Sequence, residues 1–255
     1  ATLGPVSSSP DVIRLLVNIH KPGAPRAGGA GEDYLTSGVH IDAFGVNGHA
    51  TPWADNGRYF TWQPVRLAAP LLPHDSLHLS FDWHYDMSRQ SGREGAIDST
   101  TFFLAYFYPR VAVYDDVNGW DTHNFDDALE FYSDFNDYDV TVKVPANYVV
   151  WGTGRLENAS DVLQPAVVQR LQASERADTT VTVATAAQVA AGSVTAQQPV
   201  NAWHFTATNI PDMTYAVSNH YDWDATSVVV DDATGRCAGA QAAYNDTASD
   251  FHHMA

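Results

Sequence analysis

The chain has 255 residues and a formal charge of −17, from 30 acidic against 13 basic side chains. That balance argues against nucleic acid and anionic membrane surfaces as partners, since both reward clustered Lys and Arg, and no apolar run reaches the roughly 18 to 20 residues of a membrane span. The single cysteine, Cys237, excludes an intramolecular disulfide, and a chain of this size can bury about three quarters of its unfolded surface without one.

From the N-terminus, Gly, Pro and Ala crowd residues 22–31, which read as a surface loop. Val39, Ile41 and Ala43 alternate as in a strand and lead to Asn47-Gly48, a pair suited to the positive φ of a tight hairpin turn. Residues 77–87, LHLSFDWHYDM, alternate without a break. Leu77, Leu79, Phe81, Trp83, Tyr85 and Met87 fall on one face, and His78, Ser80, Asp82, His84 and Asp86 on the other, the pattern of a half-buried strand. Further strands are predicted at 101–107, 138–144, 148–153, 179–184, 202–209, 214–219 and 227–231.

Helical signals are sparser. Leu163, Val167, Val168 and Leu171 give helical spacing over 161–177, with Ser160 as the expected cap and Pro165 tolerable near the first turn. A short turn is predicted at 186–191. Many strands and few helices predict a mainly β fold, a saddle-like or sandwich arrangement of two antiparallel or mixed sheets with one or two short helices.

No common catalytic or metal motif stands out. None of the eleven histidines lies in HExxH. His252 and His253 are adjacent and diverge on any regular backbone. His78 and His84 share a strand face but sit about 20 Å apart, too far for one ion. The segment 115–139 concentrates carboxylates, Asp115, Asp116 and Asp121 among them, with no Lys or Arg and with aromatic residues between them. Two readings stay open there: convergence on calcium, which takes six to eight oxygens, or solvated loop acids between core aromatics. Trp53, Trp62, Trp83, Trp120 and Tyr132 could likewise form a platform for sugar or peptide, or pack in the core.

Several strings resemble the aminopeptidase N family, gluzincin metallopeptidases, in its bacterial branch. They are SSPDVIRLLVNIHKPGAPRAGGAGEDYLTSGVHID (8–42), DSLHLSFDWHYDM (75–87), FFLAYFYPRVAVYDDVNGWDT (102–122), EFYSDFNDYDVTVKVPANYVVWGTGRLEN (130–158) and NIPDMTYAVSNHYDWDATS (209–227). Their order is that of the family's non-catalytic N-terminal β domain, which packs on a thermolysin-like catalytic domain. The resemblance implies that residues 1–223 are this β domain, short of its leading strands, and that 224–255 begin the catalytic domain, stopping near its first helix at 242–255.

The family's GxMEN and HExxH motifs are absent from the sequence. The resemblance therefore implies no cofactor in this chain and zinc in a missing catalytic domain, with peptide as the substrate of the whole enzyme. In the family, a Gln or Glu just before the YPR-like segment helps bind the substrate's amine. The match falls on Tyr106, with Tyr108 the nearest other candidate. Loss of leading strands would leave an unpaired sheet edge, open to a homodimer, and the expected location is exported, periplasmic or secreted. The alternative function is a stand-alone β-sandwich module binding carbohydrate or peptide.

Overall fold

The structure, a computed structural model, describes residues 11–14, 21, 31–53, 61–89, 94–125, 132–245 and 247. The fold is mainly β, its sheets built from antiparallel pairs and none of them closed into a barrel. Three α-helices and one short 3-10 turn lie among the described residues, one helix more than expected. Almost all of the predicted loop at 22–31 lies outside the described residues. The chain divides into two compact units: Ala1–Ile97 with Leu104–Phe135, and Asp98–Phe103 with Asn136–Ala255.

In the first unit, strand Val39–Val46 is central to a three-stranded sheet, between His49–Ala50 and Leu79–Tyr85. The turn into His49 has φ of 50° at Asn47 and 79° at Gly48, the two positive angles that a right-twisted two-residue hairpin requires. Asn47 also anchors the next strand. Its amide donates to the His78 carbonyl at 2.8 Å, and its side-chain oxygen accepts the His78 amide at 3.0 Å.

His40 lies directly opposite His84 and Ile41 opposite Trp83, after which the register slips at Asp42. The predicted strand at 77–87 is thus realised as Leu79–Tyr85. Its apolar positions Leu79, Phe81 and Tyr85 pack on a core of Val39, Phe44 and Val65, together with Trp53 and Phe107. A second sheet pairs Asp11–Arg14 with Trp62–Val65 and Arg110–Val111.

In the second unit, the long strands Asn136–Pro145 and Val200–Ile210 pair, and Arg155–Leu156 flanks the latter. Val149–Gly152 pairs with Tyr215–Ser218. The third sheet orders Val181–Ala184, Asp222–Asp231 and Arg236–Tyr244. Trp203, Trp223, Tyr215, Val149 and Val150 are fully buried. Trp151 and Trp223 meet edge-to-face at 6.0 Å, and Phe205 and Tyr215 at 5.4 Å, a favoured aromatic geometry.

Gly152 and Gly154 answer to this packing. A Cβ on Gly152 would overlap the Tyr215 ring, and one on Gly154, at φ 90°, would meet the Thr206 carbonyl.

Several predicted elements change. The helix expected over 161–177 splits into Ala159–Val162 and Pro165–Ser174. Proline disfavours helical backbone in the residue before it, so Gln164 is extended and Pro165 starts the second helix; Leu163, the C-cap of the first, is extended as well. Ser160 therefore lies inside the first helix, whose N-cap is Asn158. The turn at Ala186–Ala190 forms as predicted, with a reciprocal capping box between Thr185 and Gln188.

The strand expected over 101–107 ends at Leu104, and the one expected over 227–231 begins at Asp222. Residue 224, where a second domain was expected to begin, thus lies within that strand. Ala242, Ala243 and Tyr244, expected near a helix, complete the strand Arg236–Tyr244. Cys237, on the same strand, is exposed.

Candidate functional site

The position singled out by the family resemblance sits just past a strand end. Tyr106 has φ 58°, in the left-handed region. Such backbone is uncommon for a bulky residue and persists where the surroundings over-determine it. One restraint is plain: the Trp83 indole N–H donates to the carbonyl of Phe107 at 3.1 Å. Phe107 itself packs against the core of the first unit.

Beyond it, the Tyr108 ring meets Phe107 edge-on at 5.4 Å, and the Arg110 guanidinium stands over Tyr108 at 5.4 Å from the ring centroid. Arg110 in turn donates to the Ser133 hydroxyl at 2.7 Å. Tyr106 and Tyr108 are half-buried, and the segment carries two phenol hydroxyls and one guanidinium on a braced loop. These groups can hydrogen-bond a ligand.

At its start the acidic stretch is used locally, whereas Asp137 accepts the Asn209 amide and Asp139 faces His204 across the sheet. Asp115 opens a turn closed by strands Tyr114–Asp115 and Gly119–Trp120. Its carboxylate accepts the Val117 amide at 2.8 Å, the Asn118 amide at 2.6 Å and the Asn118 side-chain amide at 3.2 Å. The Asn118 bonds hold its carboxyl below the usual range. Asp116 is exposed beside it. Asp121 accepts the His123 amide at 3.2 Å and faces the His123 ring at 3.1 Å. These carboxylate bonds of Asp115 and Asp121 run to residues two or three positions along, the signature of turn capping. Among the described residues no group of three or more His, Cys, Asp or Glu is placed to hold a metal ion.

The aromatic residues considered as a platform are dispersed in role. Trp53 packs edge-on against Phe44 at 5.4 Å and Phe81 at 6.2 Å, as part of the core. Trp120 packs against Tyr114 at 5.1 Å, and Trp62 is half-buried. Trp83 and Tyr132 are the exposed ones, at 36% and 51%. A hollow of about 210 Å³ beside the Asn47-Gly48 turn, lined by Phe44, His49, Ser80 and Asp82, is below the usual size of a small-molecule site.

Two clusters were not legible in the sequence. In the second unit, His220 bridges several polar groups. Its Nε2 faces Asp98 at 3.3 Å, and its Nδ1 faces Asn219 at 2.9 Å, Thr100 at 3.3 Å and Ser218 at 3.4 Å. The Ser218 hydroxyl also bonds Thr101 at 2.9 Å. Burial pushes the Asp98 carboxyl up, but the Thr100 amide, the Thr101 hydroxyl and the His220 ring outweigh it and hold the group below its ordinary value.

Hydroxyl, imidazole and carboxylate in series resemble a nucleophile relay. Ser218, however, is 1% exposed, and Thr100 binds both Asp98 carboxylate oxygen Oδ1 and the ring. The network knits the 98–101 segment to strand Tyr215–Ser218.

The second cluster, in the first unit, brings His40, Asp42 and His84 together on the exposed face of the hairpin sheet. His40 and Asp42 stand two residues apart on one strand, and only cross-strand register brings His84 to them.

Comparison with models of known families, with curated proteins and with solved structures gave no match. The functional reading therefore rests on the chain's own residues.

Proposed function

We propose that this chain is a non-catalytic β domain of a zinc aminopeptidase-like metallopeptidase of the gluzincin type. On this reading it lies against the catalytic domain of the same protein and helps to shape the pocket for the substrate's free amine. The reading starts from five family-like strings in the family's order.

One observation carries it: Tyr106, the residue at the family's amine-contacting position, has left-handed backbone, with the adjoining carbonyl held by Trp83. Backbone held in a sparsely populated region is a feature of ligand-contacting loops. Tyr106 would offer a phenol oxygen to the amine where the family offers a carboxylate or amide. Zinc and its activated water belong, on this reading, to the catalytic domain, and no described set of three ligands in this chain fits the ion.

Assay of this chain with amino-acyl chromogenic substrates and added zinc gives no turnover on this account. Metal-dependent turnover by the chain alone sinks it. In the whole polypeptide, Tyr106→Phe raises KM for amino-acyl substrates several-fold with little change in kcat. An unchanged KM removes Tyr106 from the pocket.

A further inference from the structure

His40 and His84 are cross-strand partners in the pairing of Val39–Val46 with Leu79–Tyr85. Their rings lie 5.1 Å apart between centroids and within 16° of parallel. Directly opposite strand residues have Cβ atoms about 4.5 to 5.5 Å apart, a spacing from which two imidazoles can reach one ion. Both side chains are exposed, His84 at 63% and its partner Asp42 at 52%.

Each ring is already oriented through one nitrogen. His84 Nδ1 and Asp42 Oδ2 are 2.7 Å apart, and His40 Nε2 and Ser37 Oγ are 2.9 Å apart. A carboxylate on the far nitrogen of a histidine is the arrangement that fixes tautomer and ring direction in metal centres and makes the other nitrogen a better ligand. With the Nδ1–H donated to Asp42, His84 presents the lone pair of Nε2.

We propose that His40 and His84 form a surface site for a divalent transition-metal ion, with Cu(II) the tightest and Ni(II) next, and that Asp42 orients His84. The site supplies two imidazoles, and water completes the coordination. Cu(II) leads because affinity at nitrogen sites rises to copper along the first-row series, and imidazole suits copper, nickel and zinc. Asp42 and the exposed Asp82, two residues before His84 on the same strand, add negative potential that favours a cation.

The near-parallel rings must turn about their side-chain bonds to bring an ion into both ring planes. His40 offers Nδ1 directly, or Nε2 once it leaves Ser37. At exposed positions that rotation displaces little packing. The other histidines found here beside carboxylates, His123 with Asp121, His204 with Asp139 and His220 with Asp98, have no second imidazole described against them. The proposal does not depend on the aminopeptidase reading.

The test titrates CuSO4, and separately NiCl2, into the full chain in buffer without chelators. The background carries His252→Ala and His253→Ala, to remove the adjacent pair at the C-terminus. Calorimetry should show one Cu(II) per chain at the site. His40→Ala and His84→Ala should each weaken it by at least ten-fold, and Asp42→Asn by about ten-fold.

Low ratios of Cu(II) should broaden the imidazole NMR signals of His40 and His84 before those of the other histidines. His40→Asn and His84→Asn replace the alanine variants if melting shows that the latter unfold. Binding left unchanged by both histidine substitutions, broadening that starts elsewhere, or no uptake below millimolar metal overturns the proposal.

Discussion

Trp83 and Phe107 are joined by an indole N–H to carbonyl hydrogen bond of 3.1 Å. It ties the middle of strand Leu79–Tyr85 to the loop that carries Tyr106 and Tyr108. Trp83, which alternation assigns to the buried face, is 36% exposed, and its polar edge holds a neighbouring loop. Trp83→Phe keeps the ring and removes the donor. The expected cost is about 1 kcal/mol, at the low end because water can reach the freed carbonyl. Urea unfolding should show a lower midpoint at unchanged slope, and an unchanged midpoint would mean that the bond does not hold the loop.

The close approach at Gly152 and Gly154 makes a sharper prediction. At Gly152 an alanine methyl would enter the Tyr215 ring, which packs against Phe205. At Gly154 it would meet a backbone carbonyl, which cannot move aside as a side chain can, and at a φ that alanine rarely adopts. Overpacking of this kind costs roughly 1 to 3 kcal/mol, and Gly154→Ala should be the worse of the two. The melting temperatures of both variants check the order. Equal and small losses would show that the backbone around Gly152 and Gly154 has slack.

These cases mark how far the sequence could be read. Alternation at 77–87 and the Asn47-Gly48 pair locate the hairpin sheet because both signals are local and period two is unambiguous. The split at Leu163–Gln164 was readable in principle, since Pro165 restricts the residue before it. The helical spacing from Leu163 to Leu171 masked it. Strand Arg236–Tyr244 escaped because it is rich in Ala and Gly, poor strand formers. Six of its nine residues, from Arg236 to Gln241, are exposed, so it shows no alternation.

The sites divide in the same way. The turn-capping role of Asp115 follows from its neighbours in sequence. The His40–Asp42–His84 and Asp98–His220 clusters come from strand pairing and from contacts 120 residues apart, such as Thr100 with His220.

Asp98 gives the fold an acid-sensitive contribution. Its carboxyl lies below the ordinary value of 3.8 in the folded chain. A lowered pKa means that the charged form favours the folded state. The contribution is therefore full above the ordinary value and is lost as the pH falls through the folded one. Asp98→Asn should be less stable than the parent near pH 6, and the gap should narrow as the pH falls below about 4. Urea midpoints across that range test it, and a gap that stays constant with pH would show that the charge of Asp98 is not what matters.

The capping box at Thr185 is a self-contained case. Its hydroxyl accepts the Gln188 amide at 3.2 Å, and the Gln188 side chain accepts the Thr185 amide at 3.1 Å. Thr185→Ala removes the first bond and should cost about 1 kcal/mol. The turn Ala186–Ala190 is too short to form alone, so hydrogen exchange at Val189 and Ala190 should rise more than elsewhere. Exchange left unchanged there would assign the turn's stability to the burial of Val189 instead.

The most direct test of the aminopeptidase reading is the size and activity of the native polypeptide that contains this sequence. An antibody raised against the second unit should detect a species at least twice the 27.8 kDa of this chain, and the captured material should release amino acids from chromogenic substrates in a chelator-sensitive way. A native species of 27.8 kDa, or a larger one without chelator-sensitive peptidase activity, would contradict the account.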